Sequence, residues 1–147
     1  MLESEIKNSS NVFIVGHNSP DFDSIGSAIG LYYLAKHYGR ETYIIVDDDE
    51  FIIEPGVKRI LEENKGRLPI IKKQDFLTLT NNQSLLIVTD VNKSYRISVG
   101  DSLDKVGNII IVDHHAEDSY TISTDKKCID QEVSSASEIV ARVLNLS

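Results

Sequence analysis

Four short apolar runs limit what this chain can fold into more than any other feature: Asn11 to Gly16 (NVFIVG), Glu41 to Val46 (ETYIIV), Ser84 to Asp90 (SLLIVTD) and Asn108 to Asp113 (NIIIVD). Each is rich in β-branched residues and none alternates polar with apolar. Each therefore reads as a strand covered on both faces, which is what a parallel sheet with helices on either side requires. Helical spacing fills the gaps. From Asp23 to Tyr38 the residues Ile25, Ile29, Tyr32 and Tyr33 recur at three- and four-residue steps, and Gly39 follows as a stop. A second helix is predicted from Pro55-Gly56 through Val57, Ile60 and Leu61 to Lys65, closed by Gly66. Single helical turns are expected at Asp75 to Leu79 and Ser102 to Val106, and weak extended segments at Tyr120 to Ser123 and Lys127 to Asp130. Ser135 to Leu144 reads as an amphipathic helix with Ile139, Val140, Val143 and Leu144 on one side. This order predicts an α/β domain over residues 1–147, with a mainly parallel sheet flanked by helices.

Composition agrees with one such domain. The 147 residues are 41% hydrophobic and 26% charged, a balance that supports a packed core and excludes disordered, collagen-like and coiled-coil chains. No apolar run approaches the roughly 20 residues that span a bilayer. The start MLESEIKNSS has neither the basic and apolar sections nor the cleavage site of a signal peptide, so a cytoplasmic domain without membrane contact of its own is expected. The single cysteine, Cys128, rules out an internal disulfide and a multi-cysteine zinc site. With 15 basic against 23 acidic residues the net charge is −8, which argues against binding long nucleic acid through phosphates. A small anionic substrate then needs something positive waiting in the site.

Ligand sites in parallel α/β sheets lie beyond the carboxyl ends of the strands. The first strand runs into His17-Asn18-Ser19-Pro20-Asp21-Phe22-Asp23, the third ends in Asp90, and the fourth ends in Asp113-His114-His115. Three of the four histidines and four carboxylates are thus expected at one sheet edge. Four carboxylates cannot crowd together unpaired, because each raises the cost of ionising the others. Divalent cations resolve the conflict. Imidazole and carboxylate without thiolate suit Mn²⁺, Fe²⁺ or Co²⁺, and the donors are too many for one ion and about right for two, a common arrangement for displacement at phosphorus. Pro20 restrains the loop so that His17, Asp21 and Asp23 curl around one point. Gly26 and Gly30 weaken the following helix by about 1 kcal/mol each relative to alanine, so close packing, expected against the sheet, explains them better than helix formation does.

The run GHNSPDFDSIGSAIG, the isolated Asp of VTD and the VDHH sequence resemble motifs one to three of the DHH phosphoesterase superfamily, and the match extends over nearly the whole chain. This superfamily includes RecJ-type nucleases, nanoRNA phosphatases, family II inorganic pyrophosphatases and cyclic-di-AMP phosphodiesterases. The chain is most similar to the DHH domain of GdpP-type cyclic-di-AMP phosphodiesterases, through Phe51-Ile52-Ile53-Glu54-Pro55-Gly56-Val57 with Arg59 and the Ser134-Ser135-Ala136-Ser137-Glu138 helix start. The resemblance implies His17, Asp21 and a bridging Asp90 around one metal, and Asp23, Asp90 and His114 around another. It also implies that His115 faces the scissile phosphate while Asp113 orients the histidines from behind. In the family a further metal-binding Asp and a C-terminal DHHA1 domain follow the helix with which this chain ends, so the chain reads as the front part of a longer enzyme.

By that resemblance the parent protein is a manganese-dependent phosphodiesterase that converts cyclic di-AMP to linear pApA with a hydroxide activated by two Mn²⁺ ions, Asp90 and His115 being catalytic. The alternatives are a nanoRNA or oligoribonucleotide phosphodiesterase, a 3′-phosphoadenosine phosphatase, or a catalytically incompetent metal- or nucleotide-binding fragment. A homodimer, and parents carrying membrane helices, also fit the resemblance. Plainer readings suffice elsewhere. His37 sits at a helix C-terminus, where a cation is favourable. Asp47-Asp48-Asp49-Glu50 reads as a solvated acidic loop, Cys128 as a buried inert thiol, and most aromatic residues as core, with Phe22 alone considered for the substrate's vicinity.

Overall fold

The computed structural model describes residues 1–47 and 52–146; Asp48 to Glu50 of the acidic loop lie outside the described residues. Six strands form one sheet in the order β3-β2-β1-β4-β5-β6, comprising β1 (Val12–Val15), β2 (Thr42–Ile45), β3 (Ile70–Ile71), β4 (Leu85–Thr89), β5 (Asn108–Asp113) and β6 (Lys127–Ile129). All five pairings are parallel. The helices are α1 (Leu2–Lys7), α2 (Phe22–His37), α3 (Pro55–Glu63), α4 (Lys73–Leu79) and α5 (Ala136–Leu146).

The continuous apolar runs have the cause expected of them. Val12 and Ile14 of β1 enter one core with Ile25, Leu31, Val57 and Val140, while Phe13 and Val15 enter a second with Phe76, Leu86 and Val88 on the other face. Every residue of β1 and β4 is buried. Cys128 on β6 is half-buried, and burial pushes its thiol pKa up, which leaves less of the reactive thiolate.

Two elements, α1 and β3, escape the sequence reading, and α4 is longer than expected. Helix α1 is only six residues, but its Leu2 and Ile6, one turn apart, are both buried in the first core. Strand β3 is two residues of half-buried isoleucine, too short for any periodic signal. Helix α4 begins two residues before the predicted turn, where the carboxylate of Asp75 accepts the N–H of Lys72 at 3.2 Å. At Ser102 to Val106 the chain makes a 3₁₀ turn, Leu103–Lys105, and Tyr120 to Ser123 contributes a single antiparallel bridge, Thr121 to Lys93, in place of an extended segment.

Gly26 and Gly30 do serve close packing, but against α5 and not against the sheet. A Cβ on Gly30 would lie 2.7 Å from Val140 Cγ1, and one on Gly26 would lie 3.3 Å from Ser137 Oγ. Residues with small side chains make the approach to the sheet: Ser27 Oγ shares a 2.8 Å hydrogen bond with Thr89 Oγ1 of β4, and a Cβ on Gly16 would stand 1.9 Å from Ser24 Oγ.

The strand order decides where the loops diverge. From β1 the chain moves outward through β2 to β3, then returns to the other side of β1 and moves outward again through β4, β5 and β6. The reversal falls between β1 and β4, and a crevice opens where the loops leaving those two strands part.

Candidate metal centre

That crevice is a cleft of about 300 Å³ lined by His17, Asp21, Asp23, Asp90, Arg96, His114, His115, Ser134 and Ser135. Asp90 is its floor. The residue follows β4 directly, is 2% exposed, and has φ of 63°, a left-handed conformation that aspartate tolerates better than most residues and that costs of order 1–3 kcal/mol. Its N–H is fixed by donation to Val112 O at 3.0 Å. The strained turn presents the two carboxylate oxygens to different neighbours, Oδ2 lying 3.2 Å from His17 Nε2 and Oδ1 3.2 Å from His114 Nε2.

The remaining donors come from the three loops named by the sequence. His17 is held by its other ring nitrogen, Nδ1, which lies 2.8 Å from Asn18 O, so Nδ1–H donates there and Nε2 faces the carboxylates. Asp21 is the N-cap of α2, where one oxygen accepts the N–H of Ser24 at 2.9 Å and also stands 3.6 Å from His17 Nε2. Asp23 sits in the first turn of α2 with Oδ2 3.8 Å from His114 Nε2. Both its oxygens accept from the first turn of α5, Oδ2 from Ala136 N at 2.9 Å and Oδ1 from Ser137 N at 2.8 Å.

Asp113 is fully buried and every oxygen is spoken for. Oδ1 accepts from His115 Nδ1 at 2.7 Å and from the His114 N–H at 2.8 Å, and Oδ2 accepts from Asn92 Nδ2 at 2.9 Å. Donation from Nδ1 fixes the His115 ring and leaves Nε2 for the cleft.

Among the described residues two groups of ligand atoms are compact enough to share an ion: His17, Asp21 and Asp90, and Asp90, Asp113, His114 and His115, each set lying within 4.8 Å of one another. Asp113, fully buried and bonded to His115 Nδ1 and the His114 N–H, stands behind the histidines, so Asp90, His114 and His115 Nε2 are the donors of this group left to the cleft; Asp23 is in neither group, its Oδ2 lying 3.8 Å from His114 Nε2. Electrostatics point the same way. The hydrogen bond to Asp90 raises the His17 pKa to about 9. Burial first, and then the neighbouring Asp23 and Asp21 carboxylates, push that of Asp90 up despite His17. Burial likewise works to raise Asp23, but the Ser137 and Ala136 donors outweigh it and its pKa falls. Without metal, the centre retains protons against a surplus of negative charge, and imidazole with carboxylate is a donor set that divalent Mn, Fe or Co accepts.

Sequence reasoning missed Arg96, Asn92 and Lys93. Arg96 ends a 3₁₀ turn, Ser94–Arg96, and its carbonyl accepts the Asn18 N–H at 2.7 Å, which ties its loop to that of His17. No motif announces these residues, since they reach the site through an irregular loop. Phe22 lies outside the cleft, 56% exposed, with its ring over Gly56, where a Cβ would meet Cζ at 2.5 Å.

The model of the DHH family, N-terminal domain, matches residues 11–147. The chain belongs to the DHH family. It is 31% identical over 147 residues to the cyclic-di-AMP phosphodiesterase PdeA of Listeria monocytogenes, covering 97% of this chain and 22% of that protein. To a probable manganese-dependent inorganic pyrophosphatase of Streptococcus thermophilus it is 27% identical over 142 residues, covering 91% of this chain and 41% of that protein. A solved structure of an exopolyphosphatase-related protein from Bacteroides fragilis superposes with a TM-score of 0.77 at 25% identity, covering 97% of this chain and 41% of that one. This DHH chain therefore spans about a fifth of the length of the cyclic-di-AMP phosphodiesterase it matches, and it has the parallel sheet and the cleft within that span.

Proposed function

We propose that this DHH chain is the metal-binding part of a phosphodiesterase that cleaves a small nucleotide, with cyclic di-AMP, opened to linear pApA, as its substrate. The observation that carries the reading is Asp90, whose two oxygens each meet a different histidine at 3.2 Å. Such a carboxylate would suit two divalent ions: His17, Asp21 and Asp90 would hold one, and Asp23, Asp90 and His114 would hold the other. Manganese is the favoured metal, from the donor set and from the likeness to a probable manganese-dependent pyrophosphatase. Two such ions, when bound, neutralise charge on a phosphoryl group and lower the pKa of water.

The protein's own groups then have defined tasks. The strained turn at Asp90 and the capped loop at Asp21 hold the carboxylates apart at fixed positions, so binding needs little reorganisation. His115 Nε2 faces the side of the cleft proposed for the leaving oxygen, and Asp113, bonded to Nδ1, keeps the ring turned that way. Arg96 offers the cleft a cation, and among the described residues its guanidinium has no ion-pair partner. It is placed to meet a phosphate oxygen.

The choice of cyclic di-AMP rests on the PdeA relative. The pyrophosphatase relative and the exopolyphosphatase-related structure support a second reading, in which the substrate is an inorganic phosphoanhydride. Incubating the chain with Mn²⁺ and cyclic di-AMP, a short RNA or pyrophosphate separates them. Formation of pApA supports the first reading, phosphate release from pyrophosphate supports the second, and an Asp90→Ala variant that kept full turnover would rule out the bridging role.

A further inference from the structure

Behind His115 stand an amide and a lysine that do not line the cleft. Asn92 is 2% exposed and the Lys93 side chain 12%, and both follow Asp90 on the loop leaving β4. The Lys93 ammonium donates to Asn92 Oδ1, and a lysine can only donate, so the amide must turn its oxygen to Lys93 and its nitrogen the other way. On that other side stand three acceptors. One hydrogen of Nδ2 goes to Asp113 Oδ2 at 2.9 Å, and the second is shared between the carbonyls of His115 and Ala116 at 3.4 and 3.3 Å. A flipped amide would set its oxygen against all three, so both sides of the amide demand the same orientation.

The amide thus holds His115 twice. Its bond to Asp113 Oδ2 stops that carboxylate from turning, because Oδ1 is already engaged by His115 Nδ1 at 2.7 Å and by the His114 N–H at 2.8 Å. Its contacts with the two carbonyls fix the backbone that carries the ring. Lys93 Nζ adds bonds to Ala116 O at 3.1 Å and Thr121 Oγ1 at 3.2 Å, and lies 3.4 Å from Asp118. The loop itself is anchored at both ends, Asp90 N–H donating to Val112 O at 3.0 Å and Asn92 O accepting the Ile122 N–H at 2.8 Å. One short segment, 90–93, therefore supplies the carboxylate at the floor of the cleft and the amide that sets the imidazole, which fixes one relative to the other. A buried polar network of this kind holds a single arrangement only when each member is satisfied, and here the oxygen and both hydrogens of the amide have partners.

We propose that Asn92 and Lys93 are positioning residues for His115: the lysine sets the amide, the amide sets Asp113 and the backbone at 115–116, and the imidazole faces the cleft in one orientation as a result. The first measurement uses the metal-free chain without substrate and follows the exchange rate of the His115 Nδ1–H proton by nitrogen-edited NMR. Lys93→Met keeps the buried stem without the donor and leaves the amide free to turn, so this proton should exchange about tenfold faster than in the native chain. Asn92→Asp sets an acceptor against three acceptors and should abolish the protected signal. Asp118→Ala loosens the same loop by removing the 2.8 Å cap on the Tyr120 N–H and the ion pair with Lys93, but leaves the amide as it is, and should change the exchange rate by less than about twofold. A second measurement rests on the phosphodiesterase reading given above: with Mn²⁺ and cyclic di-AMP, Lys93→Met should lower kcat about tenfold at unchanged KM. An unprotected ring proton in the native chain, equal protection in Lys93→Met, equal loosening by Asp118→Ala, or a change in KM alone overturns the positioning role. A native chain that turns over no cyclic di-AMP would overturn the nucleotide reading, and the exchange rates would still decide this one.

Discussion

The carboxylate of Asp23 caps a helix that begins 113 residues later, accepting the N–H groups of Ala136 and Ser137 at 2.9 and 2.8 Å. One side chain thus faces the cleft and fastens α5 to α2. Negative charge at a helix start is favourable in itself, and the two donors would otherwise be buried without partners. Asp23→Ala should therefore destabilise the metal-free chain by about 1–3 kcal/mol, read from urea unfolding. Ser137→Ala removes a 3.3 Å hydrogen bond to the Asp23 carbonyl and the hydroxyl's support of the Asp23 carboxylate but keeps both backbone donors, and should cost about 1 kcal/mol or less. Equal losses from the two would show that the carboxylate is not what holds α5.

Gly16 and Ser24 form a second coupled pair. A methyl group at position 16 would collide with Ser24 Oγ, and that hydroxyl is buried with no hydrogen-bond partner among the described residues. Gly16→Ala should cost about 1–3 kcal/mol by overpacking. Ser24→Ala should be within about 0.5 kcal/mol of neutral and, combined with Gly16→Ala, should recover much of the loss. A double-mutant cycle of thermal unfolding that finds simple additivity would contradict this contact.

The raised pKa of His17 links metal, proton and stability. In the metal-free chain the bond to Asp90 holds the His17 proton up to about pH 9, against an ordinary value of 6.5. Stability from this bond is complete below about pH 6.5 and is lost as pH rises to about 9, so the melting temperature of the metal-free chain should fall across that window. Coordination requires neutral imidazole, so Mn²⁺ must displace the proton. Manganese affinity should then rise by up to about tenfold per pH unit below pH 9, with proton uptake by the buffer visible in calorimetry. A flat affinity from pH 7 to 9 would remove His17 from the ligand set.

Asp113 tests the support behind the histidines. An amide at this buried position keeps one acceptor and turns the other toward His115 Nδ1–H or the Asn92 amide as a second donor. Asp113→Asn should destabilise the chain by about 1–3 kcal/mol and should shift His115 from the Nδ1–H tautomer, measured by nitrogen NMR of the ring. An unchanged tautomer would mean that Asp113 does not set the ring's orientation.

The strands and the cleft were legible in the sequence for different reasons. Burial on both faces leaves β1 and β4 no polar positions, so their runs are visible without context, and strand ends carry His17, Asp90 and His114 because parallel sheets gather loops at one edge. Helix α1 and strand β3 left no such trace. Their segments are too short for periodicity, and they are ordered by the cores they complete. Gly26 and Gly30 announced close packing without naming the partner, since the absence of a Cβ shows only that something comes near.

By itself the amino-acid sequence determined a doubly covered parallel sheet and the set of imidazoles and carboxylates at its edge, because burial pattern and residue type are local properties of the chain. Only the tertiary structure decided that α5 closes onto Asp23, that Asp90 divides its oxygens between two histidines, and that Arg96 joins the lining of the cleft. Those relationships depend on strand order and on loops that meet across distant parts of the chain, and no spacing within a single segment encodes them.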